Sequence, residues 1–439
     1  MQHTSKSALW SALLSPYFVP ICFVFYLLFR IGVIIAIPID QHSDSLWYYT
    51  RGIALATGQG FSENGIATAY WPPGWPGLLG LLFWLFGPSP LVGQAANLMF
   101  AAVTFFLALS LGSSLFAERR VGPLTVLILT VYPNQIGYVP ILVTEVFYTA
   151  LLLLAIFIAI RSRRWVGLWM SGILFGVATL TKAQTLFIPA VLFAAWCLSA
   201  RAEGRLFSCI GRAAVIYAAM MLIILPWTVR NYSVFGEFVL ISTNGGETLL
   251  SGNNPSATGD NTDYDDLAIQ VPNDVKGQVA NDRLATSLAL KWIHDNPRAF
   301  LLLVPRKVWR LWAPDGESEW SYQAGFKNYS VYWLLFRSVR AVNQAYYAFL
   351  IVLFAISFFY FLHRNRLLSP YAATGYILLA YFTAISIMFS GQSRFHFPLM
   401  PWVAMYAAWT VTQWAGGSHA ELDLDRPHQQ FPPSASAQA

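Results

Sequence analysis

Ten apolar stretches near the length of a bilayer-spanning helix dominate this 439-residue chain, at about 17–37, 90–116, 121–139, 142–160, 166–181, 184–200, 210–227, 343–362, 371–389 and 398–415. About 20 predominantly apolar residues make a helix that crosses the hydrocarbon core of a bilayer. A chain with so many such runs is expected to fold as helices in lipid, because helices satisfy their own backbone hydrogen bonds there. Charge supports this: Asp, Glu, Lys and Arg make up 11% of the sequence, against about 25% in a soluble domain. Many of the 17 Trp residues stand at run ends, where aromatic rings prefer the headgroup level. The fold class expected is an all-α polytopic membrane protein with about ten transmembrane helices. A shorter run at 77–87 reads as a re-entrant or interfacial helix.

The formal net charge of +6 would suggest nucleic acid on a soluble protein. Here the cations sit in short loops between apolar runs and report topology, so no nucleic-acid partner is expected. An inside N-terminus places Arg119 and Arg120; Arg161, Arg163 and Arg164; Arg201, Arg205 and Arg212; and Arg364 and Arg366 all in the cytoplasm. The opposite face then receives 38–89, the turns near 140 and 182, the long segment 228–342 and the turn 390–397. The expected location is the inner (cytoplasmic) membrane, multi-pass, with the first run a retained anchor. The tail 416–439, rich in Ser, Ala, Pro and Gln, reads as disordered and cytoplasmic.

Cys22, Cys197 and Cys209 lie in or beside apolar stretches without CxxC spacing, so neither disulfides nor structural zinc are expected. Within 228–342, Asn244-Gly245-Gly246 and Ser251-Gly252-Asn253-Asn254-Pro255 are turn signals, and 260–266 is an acidic run. From Asp282 to Trp312 a helical pattern broken at Pro297 predicts an amphipathic helix on the outer leaflet, with Arg306, Lys307 and Arg310 near headgroups.

No Walker loop, dinucleotide fingerprint, HExxH or GxSxG is present. What remains is a set of polar residues mapping to the outer ends of different helices: Asp44, Glu145, Lys182, Arg230, Arg394 and His396. Asp44, ahead of Trp47-Tyr48-Tyr49, is placed either as a solvated loop acid or as a base for an incoming hydroxyl, with Asp40 its competitor. Glu145 at a helix start either complements the helix dipole or touches substrate. Lys182 is a snorkelling anchor or a ligand. Arg230, Arg394 and His396 stand where the positive-inside rule disfavours cations, which suggests an anionic ligand such as phosphate. No cluster with metal-ligand spacing accompanies Asp44, and no cofactor is expected.

The order Asp44, Tyr48, Gly58-Gln59-Gly60-Phe61, Trp71-Pro72-Pro73-Gly74-Trp75-Pro76, Leu85-Phe86-Gly87 resembles the first outer loop of GT-C glycosyltransferases of the protein O-mannosyltransferase and lipid A aminoarabinose transferase type. Thr144-Glu145, Leu180-Thr181-Lys182, Pro226-Trp227-Thr228-Val229-Arg230-Asn231 and Ser393-Arg394-Phe395-His396-Phe397-Pro398 continue it over most of 17–415. The resemblance implies a polyprenyl-phosphate-linked sugar as donor, Asp44 as catalytic carboxylate, and Lys182, Arg230 and Arg394 as donor-phosphate ligands. Tyr48, Tyr70, Trp71, Glu145, Asn231 and His396 become substrate-binding candidates, and the acceptor is a saccharide, lipid or protein hydroxyl at the membrane. Two departures concern substrate: Trp71 replaces the Lys that aminoarabinose transferases carry before Pro-Pro, and Asp44-Ser45 replaces the Asp-Glu of protein mannosyltransferases. The rival classes are a transporter or flippase of a lipid-linked saccharide, against which the lack of an internal repeat speaks, and an O-antigen ligase or polymerase with a diphosphate-linked donor.

Overall fold

The computed structural model describes residues 10–116, 118–162, 164–202, 204–261, 274–363 and 371–415. Arg163, Arg364, Arg366, most of the acidic run at 260–266 and the tail 416–439 lie outside them. The described residues are mainly helical. Among the described residues, four helices are long and apolar enough to cross a membrane: α1 (Phe18–Ala36), α4 (Pro90–Leu115), α10 (Leu206–Phe235) and α15 (Trp333–His363). The other apolar runs form shorter helices: α5 (Val121–Val131), α7 (Glu145–Arg161), α8 (Trp165–Thr179), α9 (Ile188–Ala202), α16 (Thr374–Met388) and α17 (Met400–Ala415).

Helices α7 and α17 are apolar all round and buried along most of their length, the pattern of a central helix. α4 and α8 flank α7, and α5 and α15 flank α17. Helix α8 packs closely on α10 through Gly172 and Gly176, where an added Cβ would fall 2.4 Å from the Ile216 carbonyl oxygen and 2.7 Å from Ile223 Cβ. Small residues four apart let helix backbones meet in this way.

A proline shortens α5, and the backbone group that it orphans is recovered by a side chain. Pro133 ends α5 and opens α6 (Pro133–Gly137). It has no N–H for the Leu129 carbonyl four residues back, and Arg30 Nη2 of α1 donates to that carbonyl at 3.2 Å. Arg30 is fully buried, with its guanidinium carbon 3.3 Å from the Tyr26 ring centre.

The irregular stretch before α7 is buried too, and polar side chains hold its backbone. Gln94 and Gln41 donate to Pro140, Asn97 to Val139 and Ile141, and Trp75 to Leu142. Buried backbone must be paired in this way, and these bonds fix where Glu145 begins its helix.

The segment 38–89 folds as α2 (Ser43–Ala56), a two-stranded hairpin (β1 Ser62–Glu63, β2 Ile66–Ala67) and α3 (Gly74–Phe86). The hairpin turns at Asn64-Gly65, both with positive φ, the Asn-Gly pairing that tight hairpins select. Beyond α10 come α11 (Gly245–Gly252), α12 (Val275–Asp295), α13 (Pro297–Leu311) and α14 (Glu317–Gly325). The expected break at Pro297 is where α12 gives way to α13. Leu301, Leu302 and Trp309 of α13 are exposed.

Two expectations change. Lys307 is not at a surface: with Leu303 and Leu311, one turn either side, it forms the buried face of α13. Its Nζ donates to Asn253 Oδ1 (2.8 Å) and the Ile387 carbonyl (3.0 Å), and burial pulls its pKa down to about 8. Cys197 and Cys209, expected to be free, are disulfide-bonded across the α9–α10 hairpin, whose short connection sets opposed two positions that look unrelated in sequence.

Candidate active site

Helix α7 has Glu145 at its first residue and Arg161 at its last, so it separates an arginine-rich end of the bundle from the end that carries the candidate residues. Hydrogen bonds knit the latter end together. Gly74 N–H donates to Leu180 O, Thr243 N–H to Ala69 O and Asp40 N–H to Gly325 O.

Asp44 lies in the first turn of α2. Ser45 sets that helix start: its hydroxyl accepts from His42 N–H at 3.0 Å and donates to His42 O at 2.8 Å. A carboxylate in the first turn is favoured by the helix dipole. Asp44 Oδ2 also accepts from Arg394 Nη1 at 2.6 Å. Arg394 stands in the 3₁₀ turn Ser393–Leu399, and its Nε donates to Gln392 Oε1 at 2.9 Å, with Glu317 Oε2 at 3.9 Å. Burial would lower the pKa of this guanidinium, but Asp44, Glu145 and Glu317 outweigh that and raise it, so Arg394 is a fixed cation.

A second ion pair lies alongside. Glu145, 2% exposed, accepts from Lys182 Nζ at 3.1 Å. Phe395 connects the pairs, its ring centre 5.7 Å from Lys182 Nζ and 5.5 Å from the Arg394 guanidinium carbon. Tyr48, one turn after Asp44, feels both: burial, Asp44 and Glu145 push its phenol well above the usual range, which keeps it a neutral donor. Trp71 packs between Tyr48 and Tyr70, with ring centres 5.3 Å from each, and 4.9 Å from Trp47. Tyr70 donates to Glu247 Oε2 at 2.6 Å.

Arg230 does not join this group. Helix α10 continues past Pro226 to Phe235 and ends at Gly236 in a left-handed conformation, so Arg230 lies inside the helix. Its Nη1 donates to Thr68 O (2.8 Å) and its Nη2 to Phe61 O (2.9 Å), bracing the loop around the hairpin. Asn231 is buried and donates to Val239 O. His396 is wholly buried between the rings of Trp312 and Tyr347. Its ring nitrogens lie 2.7 Å from Asp315 Oδ1 and 2.6 Å from Leu311 O, and Tyr132 bonds the other Asp315 oxygen. Burial opposes its protonation, yet the Asp315 carboxylate raises its pKa. Asp40 is exposed.

The sequence reading missed Asp315 and Glu317, the latter accepting from Ser393 N–H and Oγ. The acidic string Asp315-Gly316-Glu317-Ser318-Glu319 was their signal.

Neither a protein-family model nor a curated protein matches the sequence, but solved structures match the fold. Oligosaccharyltransferase AglB of Archaeoglobus fulgidus, in complex with an inhibitory peptide and a dolichol-phosphate, superposes with a TM-score of 0.54 at 14% identity over 90% of this chain and 50% of that one. The Archaeoglobus fulgidus oligosaccharyltransferase complex with Zn and sulfate gives 0.53 at 15% identity, over 90% and 49%. ArnT of Cupriavidus metallidurans bound to undecaprenyl phosphate gives 0.41 at 13% identity, over 91% and 78%. The fold is similar to that of the oligosaccharyltransferases, and the chain spans about half their length. Asp44 and Glu145 are each taken up by a cation, and among the described residues no three His, Cys, Asp or Glu side chains are grouped as metal ligands.

Proposed function

We propose that this chain is a membrane glycosyltransferase that moves a hexose or pentose from a polyprenyl phosphate, of the undecaprenyl type, to an acceptor hydroxyl on the extracytoplasmic face of the inner membrane. Residues 1–415 form the proposed catalytic unit. The observation that carries the reading is the Asp44–Arg394 pair: a carboxylate and a guanidinium 2.6 Å apart, at the polar end of a GT-C fold. That AglB was solved with a dolichol-phosphate supports a lipid-phosphate donor.

In the proposed step the acceptor oxygen attacks the anomeric carbon and its proton passes to Asp44. The bond from that carbon to the phosphate oxygen breaks, with the electron pair leaving on the phosphate. Direct displacement inverts the anomeric centre. Of the three donor-phosphate candidates, Arg394 and Lys182 lie with Asp44, where preorganised cations stabilise developing charge. Arg230, inside α10, instead braces the Phe61 and Thr68 carbonyls of the first loop. Tyr48, Tyr70, Trp71 and Glu145 are the proposed wall of the sugar site, and Asn231 and His396 its inner supports. The test is release of free polyprenyl phosphate by the purified protein in detergent, supplied with a panel of undecaprenyl-phosphate hexoses and pentoses and with envelope extract as acceptor. Release is expected with at least one donor. No release from any of them, alongside movement of a lipid-linked saccharide across vesicles, would overturn the reading.

A further inference from the structure

Arg51 stands seven residues beyond Asp44 on α2, and two helical turns return to nearly the same face. Helical side chains lean towards the N-terminus, so Arg51 reaches back over Trp47, with its guanidinium carbon 5.4 Å from the indole ring centre. Trp47 in turn is fixed by Nε1 donating to Glu63 Oε2 at 3.0 Å. Asp44, Trp47 and Arg51 thus form a stripe along the helix that carries the proposed base.

Arg51 is 8% exposed, and its Nε and Nη1 have no hydrogen-bond partner. Nη2 makes one long contact, 3.5 Å, with Thr50 Oγ1. Glu63 Oε2 is 3.8 Å from Nη1, too far for a hydrogen bond, and that oxygen already accepts from Trp47. Buried guanidinium donors are normally satisfied. Arg51 lines a cavity of about 260 Å³ together with Thr50, Ile53, Ala54, Gln59, Ser62, Asn64 and Gly65. The Asn64-Gly65 turn bounds it, and at Gly65 even a Cβ would meet nothing within 4 Å. The lining sets hydroxyls, amides and one cation beside the apolar side chains of Ile53 and Ala54, and its polar part has the chemistry of an oxyanion site.

We propose that this cavity holds an oxyanion carried by the acceptor, a carboxylate or a phosphate, with Arg51 as its cation and Trp47 as the ring beside which the acceptor runs towards Asp44. The acceptor role rests on the transferase reading above; the anion site itself does not. Calorimetry on the purified protein in detergent, without donor, tests it with glucuronate, inorganic phosphate and neutral glucose as probes. Wild type is expected to bind one or both anions, and R51Q to bind at least tenfold more weakly. E63Q, which removes the competing carboxylate, should bind severalfold more tightly. Preference for glucuronate identifies a sugar acid and preference for phosphate a phosphorylated acceptor. Anion affinity unchanged in R51Q, or no anion binding by wild type, overturns the proposal. Should R51Q fail to fold, E63Q decides alone, and unchanged affinity overturns it. Arg51-dependent binding by a protein that transfers no sugar would sink the transferase reading and leave the site standing. Transfer with Arg51-independent binding would do the reverse.

Discussion

Arg394 and Asp44 are 350 positions apart in the chain and 2.6 Å apart in space. The pair joins the first polar segment to the turn before the last helix, so the proposed base exists as a defined site only when the whole bundle is assembled. Arg394→Ala is expected to lower donor use about 10- to 150-fold, the equivalent of one charge-assisted hydrogen bond of roughly 1.5–3 kcal/mol. The lower end is favoured because both side chains are partly solvated. Arg230→Ala should lower the melting temperature as well, because Phe61 O and Thr68 O lose their donor. Donor titrations and thermal melts of both variants check this. Unchanged donor dependence in Arg394→Ala would remove it from the phosphate site.

Glu145 and Lys182 form the more buried pair. Taking one partner from such a pair costs about 3–5 kcal/mol, and the solvent reaching Lys182 places the expectation at the low end. Glu145→Gln should therefore be clearly less stable than wild type, and the double variant Glu145→Gln, Lys182→Met more stable than Glu145→Gln alone. Additive losses in a melting series would contradict the pairing.

His396 supplies a pH signature. Its folded pKa lies above 6.5, so protonated His396 contributes stability that is fully present below about 6.5 and is lost as pH rises through the folded value. The melting-temperature gap between wild type and His396→Gln should shrink as pH rises from 5 to 9. A gap that widens with pH would show a neutral His396 to be the stabilising form.

Topology is the point on which two signals conflict. The arginine loops argue for a cytoplasmic end containing Arg161, Arg201, Arg205 and Arg212. The Cys197–Cys209 disulfide lies at that same end, and disulfides form mainly in oxidising compartments. A reporter fused near Gly259 is expected to score as extracytoplasmic. A cytoplasmic score would invert the bundle and put the Asp44 end with the nucleotide pool.

The helices were legible because long apolar runs fold as helices in lipid, although among the described residues only four reach spanning length, and Asn296-Pro297 is an overt helix boundary. Helix ends were less so: α10 runs through Pro226, and α15 starts ten residues before its apolar run. Lys307 was misread because Arg306 and Arg310 made it look like part of a cationic cluster, although the helical period groups it with Leu303 and Leu311. Asp44, Glu145, Lys182 and Arg394 could each be singled out in sequence, but not their pairing, since no local pattern links positions 44 and 394. Arg30 and Arg51 went unnoticed for the same reason: what makes them unusual is burial, which depends on distant helices.

The central claim is that Asp44 accepts the acceptor's proton. Asn keeps the size and polarity of the side chain but cannot take a proton, and it leaves an oxygen for Arg394. Asp40→Asn is the control, four residues away, exposed and outside the ion pairs. General-base assistance is typically worth about 10²–10⁴ in rate. The measurement is turnover of a polyprenyl-phosphate sugar by wild type, Asp44→Asn and Asp40→Asn, with melting and donor binding measured in parallel. The expected result is a loss of at least 100-fold on that scale in Asp44→Asn alone, with melting and donor binding near wild type. Near-wild-type turnover in Asp44→Asn would contradict the account.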